Sequence, residues 1–127
     1  MMYEITKLIL RLSVGIMMLF HGLHKIVHGI GSIKAMVVAA GFPEFLAYGV
    51  YVGEVVMPVL IILGAYARAA SLVLALNMAT AIFLAYGKTL FSLTEHGAPV
   101  FELPFLYLVM SLLIFVFGSG KYALNSK

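Results

Sequence analysis

Residues 45–67 read FLAYGVYVGEVVMPVLIILGAYA, an apolar run with a single charge, Glu54, near its middle. The run has the length of a membrane-spanning helix, which needs ~20 predominantly apolar residues. An earlier run, residues 5–20 (ITKLILRLSVGIMMLF), is interrupted in the same way by Arg11. A charge at the bilayer centre costs roughly 2.5–3.5 kcal/mol on insertion scales. Two such charges are therefore expected to turn from lipid into the interior of a helix bundle, close to each other. Pro58 sharpens the expectation. It has no N–H for the carbonyl four residues earlier, which is that of Glu54, so the helix should distort there and leave a polar backbone group beside the carboxylate.

Outward from that stretch, the whole chain has the same character. Of its 127 residues 64% are hydrophobic and 10% charged, and the mean hydropathy is +1.12. No soluble domain of this length hides so much apolar surface, so lipid is the expected solvent. Four apolar segments, residues 5–26, 45–65, 68–86 and 101–117, predict an all-α, integral membrane four-helix bundle in one domain over residues 1–127. Residues 32–40 suggest a short interfacial helix in the first loop, and residues 64–67 a tight turn. Arg11 breaks the N-terminal apolar region and no small-x-small site follows closely, so the first span is read as retained rather than as a cleavable signal.

Four spans put both termini on one side, with Lys7, Arg68, Lys121 and Lys127; Lys25, Lys34 and Lys88 lie on the other. This weak excess favours cytoplasmic termini, and with them a plasma (inner) membrane location and four histidines near the outer face. Most bases sit at helix ends as head-group anchors, which argues against a nucleic-acid surface. The absence of cysteine excludes disulfides, thiolate nucleophiles and thiolate-held clusters supplied by this chain alone. Gly49-x3-Gly53 and the stripe Ser71, Ala75, Ala79 allow close helix approach.

Several motifs then converge. LRLSVGIMMLFHGLHK (residues 10–25), Glu54 six residues before LIILGAYARAA (residues 60–70), Glu102 opening the last span, and FGSGKYALN (residues 117–125) follow in order and spacing. This arrangement resembles the DoxX family, with its RLxxGxxFxxHGxxK first helix, second-helix acid, LxLGxxTRxAA and closing GPGRYSLD. Ala67 stands where Thr is usual, and Glu95–Pro99 where a Gly-rich run is common. The family is similar to the membrane subunits of thiosulfate:quinone oxidoreductase. The resemblance implies a role beside redox partners, with quinone as the cofactor to expect, and it singles out His21 and Glu102.

Each candidate has a structural alternative. Arg11 and Glu54 together suggest a proton-accepting or quinone-carbonyl-binding pocket, against an internal salt bridge that only fixes packing. His21, His24 and His28, spaced i, i+3, i+7, share a helical face and with Glu95 and His96 suggest a metal or quinone head-group site, against solvated interfacial histidines. Glu102 suggests the outer mouth of the pocket, against a carboxylate that suits a helix N-terminus. Asn77 is expected to form an interhelical hydrogen bond. The leading functional expectation is a membrane subunit or accessory of a quinone-linked redox system, which would need a partner protein carrying flavin, haem or metal. The alternatives are a non-catalytic membrane scaffold and, behind it, a small-solute or proton transporter, for which so small a bundle would have to form a homo-oligomer.

Overall fold

The computed structural model describes residues 2–125 apart from Lys88 and Leu90. Lys88 and Lys127, both counted in the charge bias, lie outside the described residues. Among the described residues the chain is all-helical. Helix α1 spans Met2–His28, the short α2 Gly31–Ala39, α3 Glu44–Leu63, α4 Ala67–Tyr86 and α5 Glu102–Phe117. Helices α1, α3 and α4 are long and apolar enough to cross a membrane. At 16 residues α5 is shorter, about 24 Å at ~1.5 Å per residue.

Helices α1, α3, α4 and α5 run up and down and close a ring, with α4 and α5 forming the most extensive pair. The core is a thin apolar layer: Val14 and Met18 of α1, Ile61 of α3, Ala67, Ala70, Leu74 and Met78 of α4, and Tyr107 and Ile114 of α5. The larger apolar side chains, such as Phe20, Leu76, Phe83 and Val116, point outward instead. That inversion is expected where lipid is the solvent and close approach of small residues holds helices together. Ser71 and Ala75 are buried as expected, whereas Ala79 is exposed on the opposite end of the same stripe.

Three local features follow from the sequence. The α3 helix begins as a 3₁₀ segment at Glu44–Tyr48 and widens into a π turn at Val52–Val56, just before Pro58. A prolyl nitrogen that cannot donate favours such a relaxed turn, and π turns recur at functional sites. Gly64 ends α3 in the left-handed conformation, φ 75°, where a side chain would be strained and would also strike the Arg11 guanidinium. Tyr66, at φ 51°, completes the turn, with its N–H donating to Asn125 Oδ1 at 3.0 Å.

Candidate functional site

Arg11 and Glu54 are both buried, as the cost of intramembrane charge requires, at 1% and 3% exposure. The expected common pocket does not form, because each has nearer partners. Arg11 turns toward the C-terminal end of α3. Its Nε donates to Ile61 O at 3.0 Å and its Nη2 to Ile62 O at 3.0 Å; Nη1 donates to Ser119 O at 2.9 Å and Tyr122 O at 2.8 Å. The last carbonyls of a helix lack intrahelical donors and carry its partial negative charge, so a planar guanidinium suits them. The post-α5 segment supplies the other acceptors. It is fastened further by Leu124 N–H to Leu63 O, Asn125 N–H to Gly64 O, and Glu4 accepting from the Lys121 backbone.

Glu54 sits in the π turn about 10 Å from that clamp along α3, at ~1.5 Å per residue. Lys25 of α1 donates through Nζ to Glu54 Oε1 at 2.5 Å, and Asn77 of α4 through Nδ2 to Oε2 at 3.0 Å. The expected interhelical role of Asn77 is therefore observed. The triad binds three helices at one point and depends on two glycines for space. A Cβ on Gly22 would collide with the Glu54 carbonyl, the group that Pro58 leaves without its usual donor; a Cβ on Gly53 would meet the Asn77 side chain at 2.7–2.9 Å. Lys25 ends the HGLHK motif, and its position near the end of α1 made it look like a head-group anchor. It reaches inward because α1 approaches α3 so closely at Gly22.

The triad forms part of the wall of a cleft of about 970 Å³. Its polar lining gathers at Glu54, Lys25, Asn77, His21 and Tyr107, and most of the remainder is apolar, from α2, the start of α3, and α4. The His21 ring packs edge-on against Tyr107, centroids 5.6 Å apart, and its Nδ1 lies 3.0 Å from Met17 O. Helix α2 covers one side of the cleft. Lys34 holds it there, with Nζ 4.7 Å from the centre of the Tyr48 ring and 3.9 Å from Glu44 Oε1. The Tyr48 hydroxyl, before any other group, pushes the Lys34 pKa above the usual lysine value.

The structure disperses the remaining sequence candidates. His24 and His28 stack on each other with centroids 4.1 Å apart, exposed at the end of α1, and His28 Nδ1 lies 3.1 Å from His24 O. His96 and Glu95 lie 3.7 Å apart in the exposed loop before α5. No group of three or more potential metal ligands gathers among the described residues. Glu102 starts α5, exposed, while its neighbours Leu103 and Pro104 line the cleft that Glu102 itself does not. Of the sequence candidates, the structure brings Glu54 and His21 to the cleft, beside Lys25 and Tyr107, which the sequence did not single out, while Arg11 and Glu102 do not line it. Tyr107 carries no motif and is recognisable only once α5 is packed.

Comparison with known proteins identifies the family. The DoxX family profile matches residues 6–87, which includes Arg11, His21, Lys25, Glu54 and Asn77. An uncharacterised protein of Haemophilus influenzae is 34% identical over 124 residues, covering 93% of this chain and 87% of that relative. No solved structure gives a significant match. With apolar membrane-crossing helices, matching motifs and a match over most of its length, the chain belongs to the DoxX family.

Proposed function

We propose that this membrane protein is a subunit or accessory of a quinone-linked redox system and that the Glu54 cleft receives the quinone ring. The observation that supports this is a concentrated polar triad, Lys25–Glu54–Asn77, on the wall of a mostly apolar cleft at mid-depth in the helices. The residues fit such a group: quinone carbonyls accept hydrogen bonds, and Lys25 Nζ, Asn77 Nδ2 and the Tyr107 hydroxyl are donors on that lining. A bound quinone would supply two-electron, two-proton redox chemistry. The chain itself holds the ring between apolar walls, aims donors at its oxygens, and keeps at Glu54 Oε1 a carboxylate able to take or return a proton. Lys25 and Asn77 fix that carboxylate's orientation. Arg11 serves the site indirectly, by holding α3 against the closing segment. Reducing equivalents come from a partner protein carrying flavin, haem or metal. The membrane is the plasma (inner) membrane, with both termini cytoplasmic.

A scaffold role is the second reading, favoured by the mutual satisfaction of the triad, which needs no ligand to be stable. Quinone reduction in membranes containing Glu54→Gln and the redox partner, normalised to assembled complex, separates the two. Gln keeps shape and hydrogen bonding but not proton exchange, so activity should fall at least about tenfold with assembly intact. Full activity at normal assembly would leave Glu54 a structural residue.

A further inference from the structure

The same apolar side chains that line the upper cleft also face out of the protein. Leu76 is 61% exposed, Phe83 67%, Phe42 52% and Leu46 49%, and all four belong to the lining. Leu76 and Phe83 lie on α4, while Phe42 and Leu46 lie around the start of α3, so the mouth lies between α4 and the α2–α3 segment. Glu54 and Asn77 each stand nine or ten residues from both ends of α3 and α4, roughly 15 Å at ~1.5 Å per residue. That is about half of the ~30 Å hydrocarbon core, so both residues stand near its midplane. Of the mouth residues, Leu76 stands at this level, while Phe83 and Leu46 lie within about 5 Å of the α4 C-terminus and the α3 N-terminus, so the opening runs from mid-bilayer toward the head groups and faces acyl chains along most of its length.

We infer that the cleft is entered laterally from the bilayer, by a membrane-dissolved amphiphile whose uncharged head reaches the Lys25–Glu54–Asn77 triad while its hydrocarbon tail leaves between Leu76/Phe83 and Phe42/Leu46. This rests on the quinone reading and deepens it, by fixing the ligand's direction and path. Two observations exclude other occupants. A phospholipid would have to bring its ionic head to mid-bilayer, where a charge is costly. A ring-sized, water-soluble molecule would leave most of a 970 Å³ cleft unfilled and its apolar wall uncovered. The tail gains little by leaving lipid for an equally apolar groove. Its function is to align the molecule, so that only the head meets polar groups.

The test uses the unaltered protein in phospholipid nanodiscs and two decyl-tailed benzoquinones, one with a photoreactive azide on the tail and the other with it on the ring. Tail-probe adducts are expected on residues 76–83 of α4 and 42–46, ring-probe adducts near Glu54, Asn77 and Tyr107, and both should fall at least about tenfold with excess unlabelled quinone. Ring adducts at the triad with tail adducts at His24–His28 or in the 87–101 loop would overturn lateral entry and leave quinone binding standing. Absence of any quinone-competed adduct would overturn both. Labelling displaced by phospholipid but not by quinone would identify the occupant as lipid and overturn the inference. Thr80→Trp, placed on the cleft wall, should reduce tail and ring labelling together; unchanged labelling in a folded Thr80→Trp protein would count against the mouth.

Discussion

Arg11 shows how far a single residue can be read. That it had to be buried follows from its place in an apolar span, and burial is observed. Its partners were not legible, because Ser119 and Tyr122 are more than a hundred residues away and offer only backbone carbonyls, which every residue carries. The arrangement makes two predictions. Arg11 and Glu54 share no partner, so in a double-mutant cycle of unfolding in detergent their losses should add within ~0.5 kcal/mol, whereas Lys25→Met and Glu54→Gln should couple by ~0.5–3 kcal/mol. Coupling between Arg11 and Glu54 would contradict the separate sites. Arg11→Lys should also destabilise measurably, since an ammonium lacks the planar fork that meets four carbonyls at once. A melting temperature equal to that of the unaltered protein would show that charge alone suffices.

At the scale of elements, the apolar segments marked α1, α3, α4 and α5 to within a few residues, because period and hydropathy are local properties. The π turn was only half legible: Pro58 announced a distortion, but not that it would aim Glu54 at Lys25. The small-residue pair Gly49/Gly53 divides in the same way. Gly53 abuts the Asn77 side chain, while nothing lies within 4 Å of a Cβ added to Gly49. Gly53→Ala should therefore lower stability by ~1–3 kcal/mol through overpacking and displace Asn77. Gly49→Ala should be neutral or gain up to ~1 kcal/mol from helix propensity. Equal effects, measured by thermal unfolding of the two variants in one detergent, would mean that the spacing motif and not the contact governs packing.

For the whole molecule, the ring of helices sets the start of α1 and the closing segment at one end and α2 with much of the cleft lining at the other. Orientation in the membrane is a separate matter from this arrangement, and the basic residues argue for cytoplasmic termini. A reporter fused after Lys127 should read cytoplasmic, and one inserted between the exposed Glu95 and His96 should read external. The reverse pattern would turn the α2 end of the cleft toward the cytoplasm. The cleft itself was invisible in the sequence. Its walls come from five elements, and nothing local distinguishes an apolar residue beside a cavity from one against lipid.

The clamp on Arg11 also has a consequence in time. A ribosome makes Arg11 more than a hundred residues before Ser119 and Tyr122, so the buried cation waits through that stretch of synthesis for half of its acceptors. Until then α1 carries an incompletely neutralised charge, and its insertion stays provisional. A chain halted before residue 119 lacks the Ser119 and Tyr122 acceptors, so it is expected to be less stable in the membrane than one that carries them. Pulse-chase of a chain ending at Gly118 should show rapid loss compared with the full-length protein. Arg11→Leu, which removes the stranded charge, should slow the loss of that shortened chain.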